Sequence, residues 1–357
     1  MKCLTSALLS IAATLTGLAA PARAQFDCPV IPSESHFALD GQSILGPLVN
    51  SLGAPVQMQG ECGLELLAGA NGQVLFRVGV LEVLTVDDLR LEVLCLPLVQ
   101  TPAAVDIEDL RIFVDSNAFA RGPGGQVDLQ TFGTILGGEL TLTLLGGQVF
   151  QQDLAGTHVQ VTARTGWLTS GNAGAGVQLD LPLEFELACG DLGLLYGLGV
   201  HLDGRVLARR QYPDAATYCT ASPNSLGCSA AISSAGVPST TAGQSFVIRG
   251  DQLRNNKVGL LFFGVNGRAT IPFHGGTLCA APPLTRTPLR STGGDAAPAV
   301  NCSGELALDF NDWLWDQPLT SEFRLPGTQF QCQWWSRDPN VASTTVFSNA
   351  LEFTLGL

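Results

Sequence analysis

Apolar and polar residues alternate along several segments of the chain. In the longest of them, residues 177–187, apolar side chains occupy every odd position, and the even positions hold polar side chains or Pro182. A period of two predicts a strand with one buried face. Because proline has no N–H group, we expect this strand to lie at a sheet edge or to contain a bulge. Shorter alternating segments occur at residues 89–95, 110–114, 140–144 and 159–163.

Turn-forming residues separate these segments and favour short strands over long helices. The chain contains 41 Gly and 20 Pro, and clusters such as residues 121–125 fall between the alternating segments. Glycine and proline at this density would interrupt helices repeatedly. Residues 42–52 predict one short helix, which Gly46 and Pro47 interrupt. We therefore predict an all-β fold made of two β-sandwich-like domains.

The length and the distribution of charge predict two domains. A chain of 357 residues is long enough for two cores of ordinary size. Most of the excess of acidic residues lies before Tyr218, and the rest of the chain is nearly neutral. We place an acidic β-rich domain at residues 25–217. A β-sandwich-like accessory domain, which we expect to be Ig-like, follows at residues 218–357.

The N-terminal segment has the features of a secretory signal peptide. Lys2 precedes an almost entirely apolar segment, and Ala22-Arg23-Ala24 fits the pattern of small residues at a cleavage site. Cleavage there would remove residues 1–24 and leave Gln25 as the first mature residue. The apolar segment is too short and too rich in serine and threonine for a membrane span. We therefore predict export through the secretory pathway to the periplasm, the cell surface or the extracellular space.

Composition and charge narrow the classes of partner. Hydrophobic residues make up 46% of the chain and charged residues only 14%, which excludes an intrinsically disordered protein. The formal net charge of −13 argues against binding to nucleic acid or to anionic membrane surfaces, because both need clustered lysine and arginine. The expected partners are cell-surface or extracellular components, either protein or glycan.

The cysteine content indicates an oxidising compartment. Ten cysteines occur, one of which, Cys3, lies in the signal segment. In an exported chain the remaining nine predict disulfides, and the expected local bridges are Cys219–Cys228 and Cys279–Cys302. An odd number leaves one thiol unpaired within the chain, and Cys332 is the candidate because it lies in an apolar segment. No metal site is predicted, since the chain has no CxxC pair and only four histidines. The pairing of the other cysteines stays open: Cys28, Cys62, Cys95 and Cys189.

Tryptophans provide the candidate ligand-binding site, because four of the five lie in the predicted C-terminal domain. Trp313 and Trp315 are flanked by Asp312 and Asp316. In a strand both rings would face one side, where they could stack on a sugar ring while the carboxylates accept hydroxyl hydrogen bonds. Core packing is the favoured interpretation of such large rings. The adjacent pair Trp334-Trp335 would point to opposite faces of a strand.

Motifs that carry catalysis are missing from the sequence. It contains no G-x-S-x-G, no HExxH, and no phosphate-binding or dinucleotide-binding glycine loop. We therefore predict no catalytic residue and no cofactor. A Ser-His-Asp site built from distant residues stays open, because such sites are defined by geometry.

Several ordered motifs in residues 218–357 resemble a known module. They are the segments 218–228, 260–264, 275–279, 335–338 and 348–354, which hold YCTASPNSLGC, LLFFG, GGTLC, WSRD and SNALEFT. In this order they resemble an uncharacterised β-rich module at the C-terminus of exported bacterial proteins. The resemblance implies an exported, modular protein with an accessory domain, and it brings no assigned activity.

These features together favour an exported, non-catalytic structural or surface-interaction protein. The alternative is a carbohydrate-binding protein that uses surface tryptophans. An exported hydrolase is the third hypothesis.

Overall fold

A computed structural model describes most of the chain after residue 24. The described residues are 25–43, 46–68, 74–93, 103–144, 147–170, 175–189, 197–241, 243–317 and 321–357. The predicted signal peptide, residues 1–24, and Cys95 lie outside them. Within these ranges, no helix is both long and apolar enough to cross a membrane.

Residues 25–211, the N-terminal part, contribute the strands of one 15-stranded sheet. The strands are β1 Gln25–Val30, β2 His36–Ser43, β3 Gly46–Asn50, β4 Val56–Ala68, β5 Val74–Thr85, β6 Leu89–Val93, β7 Ala104–Ser116, β8 Phe119–Ala120, β9 Gln126–Val127, β10 Thr131–Thr143, β11 Val149–Asp153, β12 His158–Ala163, β13 Gly166–Thr169, β14 Gly176–Ala188 and β15 Gly199–Gln211. Short 3-10 turns occur at Pro32–Glu34 and Pro123–Gly125.

The hydrogen-bonded pairing of these strands runs in a closed circuit. From β15 it passes through β2, β3, β6, β7, β10, β12 and β14 and returns to β15, always antiparallel. The closure depends on long strands that change partner along their length. Strand β7 pairs with β6 through residues 104–107 and with β5 through residues 111–114. A closed circuit leaves fewer unpaired sheet edges.

The alternating segment 177–187 lies in β14, inside the sheet and not at an edge. Strand β15 pairs with β14 on one side, and β12 followed by β13 pairs with it on the other. Pro182 lies where β12 gives way to β13, and its carbonyl accepts a hydrogen bond from the N–H of Arg164 between these strands. Because the N–H and C=O of one strand residue point to the same side, the missing N–H of Pro182 falls at this junction. The expected sheet edge was therefore wrong. The register does shift by one residue opposite Pro182, as at a bulge: Ala163 pairs with Leu183, whereas Trp167 pairs with Asp180.

The helix expected at residues 42–52 is also wrong. Ser43 ends β2, and Gly46–Asn50 forms β3, which pairs antiparallel with β2. Gly46 has φ 123°, a conformation that side-chain-bearing residues rarely adopt. Pro47 in turn disfavours a helical conformation for the residue before it. The same two residues that interrupt the apolar pattern therefore begin a strand.

The buried faces of these strands form one large core. All six odd-numbered side chains of residues 177–187 are buried, as the alternation predicts. They belong to a cluster that includes side chains from most strands of the sheet, such as Phe37, Leu91 and Ile112. The rings of Phe37 and Phe185 lie 5.4 Å apart within this cluster.

Residues 216–357, the C-terminal part, form three smaller sheets. The strands are β16 Ala216–Tyr218, β17 Ala231–Gly236, β18 Phe246–Leu253, β19 Val258–Gly264, β20 Arg268–Phe273, β21 Gly276–Ala280, β22 Thr285–Arg286, β23 Arg290–Ser291, β24 Gly304–Asp309, β25 Gln329–Arg337 and β26 Thr345–Thr354. A six-stranded sheet has the order β16-β26-β25-β19-β22, with β23 also paired to β19. Strands β17, β18 and β24 form a second sheet, and β20 and β21 form a hairpin. Helix α1 spans Phe310–Asp316, and a 3-10 turn spans Ser321–Arg324.

The six-stranded and three-stranded sheets share a second core. Side chains from both sheets and from α1 belong to one buried cluster. Aromatic rings fill its centre: Phe263 lies 5.7 Å from Phe330, and Phe310 lies 5.1 Å from Phe353. Aromatic pairs at such separations add to the stability gained from burial alone. Since the described residues contain one short α-helix beside many strands, the predicted all-β fold is confirmed.

Two disulfides join the four cysteines that the sequence identified, but in a different pairing. They are Cys219–Cys279 and Cys228–Cys302, with Cα atoms 6.3 and 6.5 Å apart. The expected local bridges were wrong, because nearness along the chain favours a pair only before folding. In the folded protein the distances between Cα atoms decide which cysteines can bond. Cys332 is an unpaired, buried thiol, as expected. Three more buried thiols are unpaired in the described part of the chain: Cys28, Cys62 and Cys189.

Candidate functional site

The expected tryptophan site lies on a helix and not on a strand. Residues Phe310–Asp316 form α1, and at its start the side chain of Asp309 accepts a hydrogen bond from the N–H of Asp312. Side chains two positions apart on a helix point in nearly opposite directions. Trp313 and Trp315 therefore do not share a face, and the expected sugar-stacking surface was wrong.

The two rings have different environments. Trp313 is buried, with its ring 5.3 Å from that of Phe263, so it packs in the core. Trp315 is 45% exposed, and the guanidinium of Arg324 lies 5.3 Å from its ring centre. The flanking carboxylates are both exposed: Asp312 and Asp316.

A row of apolar side chains crosses the outer face of the six-stranded sheet. Leu260 on β19 lies opposite Trp335 on β25, which in turn lies opposite Phe347 on β26. Neighbouring positions on a strand face opposite sides, so Leu261 and Trp334 belong to the core while Leu260 and Trp335 lie outside it. The expectation that Trp334 and Trp335 point to opposite faces is confirmed.

Two glutamines beside this row hold the β20–β21 hairpin above the sheet. The Oε1 atom of Gln333 accepts a hydrogen bond from the N–H of Cys279 at 3.2 Å, and its Nε2 atom donates to the carbonyl of Thr277 at 3.1 Å. The Oε1 atom of Gln331 accepts from the N–H of Gly267 at 3.0 Å. Both glutamines are fully buried, so leaving these groups without partners would be costly. The hairpin therefore covers one end of the outer face and leaves the apolar row beside it.

The turn of this hairpin places His274 at its tip. His274 and Gly275 connect Phe273 to Gly276 and have φ values of 45° and 74°. A two-residue connection with positive φ at both positions is a type I′ turn, which suits the twist of paired strands. A Cβ atom on Gly276 would lie 2.7 Å from the ring of Phe347. Glycine at this position thus allows the hairpin to lie directly on Phe347.

A disulfide and a buried hydroxyl fix the second strand of the hairpin. Cys279 is bonded to Cys219, and its carbonyl accepts a hydrogen bond from the Tyr218 hydroxyl at 2.7 Å. Burial raises the pKa of Tyr218, so the hydroxyl keeps its proton as a donor. The guanidinium of Arg268 lies 4.5 Å from the Tyr218 ring centre and pairs with Glu352 at 2.7 Å. These contacts make the hairpin a fixed wall.

Sheet and hairpin together form the walls of an open aromatic cleft of about 390 Å³. Such a volume lies within the range of small-molecule binding sites, roughly 300–1,000 Å³, and such sites are mostly apolar with few polar groups. The residues that define the aromatic cleft are Leu260, Phe262, Phe273, His274, Leu278, Leu284, Arg286, Leu289, Trp335, Thr345 and Phe347.

Arg286 brings a positive charge to the aromatic cleft. It lies on β22, directly opposite Phe262 of β19. Among the described residues Arg286 has no ion pair, whereas Arg254 and Arg268 each pair with a carboxylate. An unpaired guanidinium in an otherwise apolar cleft is suited to hold an anionic group.

A polar cluster on the outer face of β14 and β15 is the main alternative site. The Nε2 atom of His201 lies 2.9 Å from Glu184 and its Nδ1 atom 3.3 Å from Asp40, while Arg164 lies 3.1 Å from Asp203. Partial burial alone would lower the pKa of His201, but the bond to Glu184 and the charge of Asp40 raise it overall. Both ring nitrogens already have carboxylate partners. The cluster therefore serves as cross-strand charge pairing.

Sequence analysis missed most residues of the aromatic cleft. For His274 there was a signal, since it directly precedes the pair Gly275-Gly276 between two apolar segments, and a glycine pair in such a place indicates a hairpin turn. For Trp335 the signal was its place next to a second tryptophan. For Arg286 there was none, because its role depends on β22 pairing with β19.

Comparisons with protein-family models, with curated proteins and with solved structures find no match for this chain. Within the described ranges, no group of three His, Cys, Asp or Glu residues is arranged to hold a metal ion. The case for a functional site therefore rests on the geometry of the aromatic cleft.

Proposed function

We propose that this chain is an exported, non-catalytic surface-interaction protein that binds its partner through the aromatic cleft. The observation that carries the proposal is an open, aromatic-walled cleft of about 390 Å³ with an unpaired arginine at its rim. Phe273 and Leu289 in its walls are 41% and 61% exposed. Covering such side chains removes apolar surface from water, and aromatic residues and arginine are enriched at interfaces.

Two features support export. The N-terminal sequence has the pattern of a cleavable signal, and two disulfides join cysteines of the C-terminal part. Disulfides form and persist in oxidising compartments and are rare in the cytosol. A location in the periplasm, on the cell surface or outside the cell is consistent with both.

A division into two domains is part of the proposal. The change of sheet between Gln211 and Ala216 supports an acidic domain at residues 25–217 and an accessory, Ig-like domain at residues 218–357. The second domain would carry the binding surface. Its resemblance to a C-terminal module of exported bacterial proteins agrees with such a role.

Of the two expected classes of surface partner, protein and glycan, the second loses the support of Trp313 and Trp315. Their rings lie on opposite sides of α1, and Trp313 is buried. The aromatic cleft, which contains Trp335, replaces them as the binding surface in this proposal.

Retention on cells tests the proposal. Fluorescently labelled protein that lacks residues 1–24 is incubated with intact cells of the producing organism, and bound label is measured by flow cytometry. We expect Trp335→Ala to weaken the affinity measured by retention at least about thirtyfold, because a central tryptophan commonly contributes about 2 kcal/mol or more to binding. The matched control is Trp315→Ala, which removes an exposed indole outside the cleft and should leave retention unchanged.

Two results would contradict the proposal. Equal retention of wild type and Trp335→Ala would exclude the aromatic cleft as the binding surface, and no retention of the wild type would exclude a surface partner. Phe273→Ala provides a second variant, since this exposed hairpin residue lies outside both cores. Circular dichroism of each variant confirms that the fold is intact.

A further inference from the structure

Arg286 is the part of the aromatic cleft that a purely apolar partner would not use. Its side chain is exposed, and in the described part of the chain it forms neither an ion pair nor a side-chain hydrogen bond. No acidic residue is among those that define the cleft. In a protein with a formal net charge of −13, an arginine so isolated from carboxylates leaves a local positive charge. An anion bound there would form charge-assisted hydrogen bonds.

The surroundings of Arg286 show what the anion must be attached to. Phe262 lies directly opposite, and Leu284 and Leu289 flank the arginine along the chain. A small inorganic anion would leave these apolar walls in contact with water, and a neutral apolar molecule would leave the guanidinium unused. A ligand with an apolar body and one anionic end would satisfy both.

The size of the cleft limits the apolar body. Its volume of about 390 Å³ is near the lower end of the usual range for ligand sites. The row formed by Leu260, Trp335 and Phe347 is a continuous apolar floor across three strands. A single short alkyl chain can lie along such a floor, whereas a folded macromolecule would have to insert one side chain.

We infer that the aromatic cleft binds a small anionic amphiphile, namely an alkyl chain that ends in one carboxylate. The chain lies on the row of Leu260, Trp335 and Phe347, and the carboxylate accepts two parallel hydrogen bonds from Arg286. This inference rests on the proposed function: it keeps the aromatic cleft as the binding surface and assigns it a lipid-derived ligand in place of the protein or glycan expected from the sequence. Cell-surface lipids and their free fatty acids supply this chemistry, and the free carboxylate is the form that we assign.

A competition assay on purified protein without residues 1–24 tests the inference. The reporter is N-phenyl-naphthylamine, an uncharged dye whose fluorescence increases in apolar sites. The competitors are decanoate and decanol, which share one alkyl chain and differ in the charged end, both below the concentration at which decanoate forms micelles. We expect Arg286→Gln to weaken decanoate at least about fivefold and to change decanol less than about twofold, because only the carboxylate bonds to arginine.

Two matched variants complete the assay. Arg249→Gln removes an exposed arginine on β18, outside the cleft, and should change neither competitor. Phe273→Ala removes part of the apolar wall and should weaken both competitors by the same factor.

The inference is overturned if Arg286→Gln leaves decanoate unchanged or weakens decanol equally. It is also overturned if the wild type binds no dye or if neither competitor displaces it. Failure of the broader proposal is distinguishable, since retention on cells is measured separately and does not depend on these probes.

Discussion

Replacing Asp338 by asparagine should destabilise the C-terminal part more than removing both charges of its ion pair. The Asp338 side chain is fully buried, and Arg254 donates to it at 2.6 Å. The same carboxylate accepts from the N–H and hydroxyl of Ser225 at 2.7 and 3.0 Å and from the N–H of Asn340 at 3.2 Å. These bonds join the loop after Cys219 to the ends of β18 and β25.

The expected magnitude follows from the burial of both partners. Asp338→Asn keeps the size of the side chain but leaves the Arg254 guanidinium, only 9% exposed, without a counter-charge. Breaking a buried pair in this way costs about 3–5 kcal/mol. In the double variant Arg254→Met/Asp338→Asn no buried charge is left, and the amide oxygen can still accept from the N–H of Ser225. We expect that variant to lose only about 1–2 kcal/mol, the value of weakened hydrogen bonds.

Urea unfolding followed by tryptophan fluorescence measures these differences. Four of the five tryptophans lie in residues 313–335, so the signal reports mainly on the C-terminal part. Trp334 is fully buried and should shift its emission when the second core opens. The midpoint and the slope are compared for the wild type, both single variants and the double variant, since a changed slope would indicate a change in the exposed surface.

Two outcomes would refute the reasoning. A loss below about 1 kcal/mol for Asp338→Asn would mean that the pair behaves like a solvent-exposed salt bridge. A double variant less stable than Asp338→Asn would mean that the orphaned charge of Arg254 is not what destabilises the single variant.

Further predictions concern acid, a strand glycine, a histidine and the disulfides. Burial opposes ionisation of Asp338, but hydrogen bonds from Ser225 and Arg254 hold its pKa below the ordinary 3.8. The stability that the ionised carboxylate contributes is therefore complete above about pH 3.8 and is lost as the pH falls through the folded-state pKa. This acid-dependent loss should be missing from the pH profile of Asp338→Asn. Gly204→Ala should lower the free energy of unfolding by about 1–3 kcal/mol, because its Cβ would collide with the backbone carbonyl oxygen of His36 on the neighbouring strand. Gly199→Ala, on the same strand but facing open space, should change it by less than about 0.5 kcal/mol. Urea unfolding followed by far-UV circular dichroism measures both variants, because this signal also reports on the strands of the N-terminal part. The pKa of His201 is raised above 6.5, so the stability that its positive charge contributes is complete below about pH 6.5 and is lost as the pH rises through the folded-state pKa. Urea unfolding at several pH values should show this loss in the wild type and not in His201→Gln. Non-reducing peptide mapping should recover two cross-linked pairs, Cys219–Cys279 and Cys228–Cys302. A bridge between Cys219 and Cys228 would contradict the structure.

The sequence predicted the fold class because alternation reports directly on burial. In residues 177–187 each odd side chain is buried, and no distant contact is needed to see the pattern. The position of Pro182 was less predictable. Whether its missing N–H falls at an edge or at a junction between two partner strands depends on where β12 ends and β13 begins.

The tryptophan helix shows how a local signal was missed. Asp309 followed three residues later by Asp312 is a typical helix start, and its side chain does cap α1. Interpreting Trp313 and Trp315 as a strand ignored that signal. With the cap recognised, opposite directions for the two rings follow from helical geometry.

The aromatic cleft could not be predicted from local patterns. Leu260, Trp335 and Phe347 become neighbours only through the register of three strands that are distant in sequence. The disulfides have the same origin, because each joins residues at least 60 positions apart. Information of this kind lies in tertiary packing and not in the spacing of residues.

The two disulfides overlap along the chain, and this order has a consequence for biosynthesis. Cys219 and Cys228 both precede their partners, Cys279 and Cys302. As the chain emerges, these two thiols are available together before either native partner exists, so a bond that forms between them at this stage would be non-native. The native linkage then requires either oxidation delayed until Cys302 has emerged or thiol exchange that reopens the early bond. A host whose oxidase acts on the emerging chain would therefore accumulate a misbridged form unless it also supplies disulfide isomerase activity.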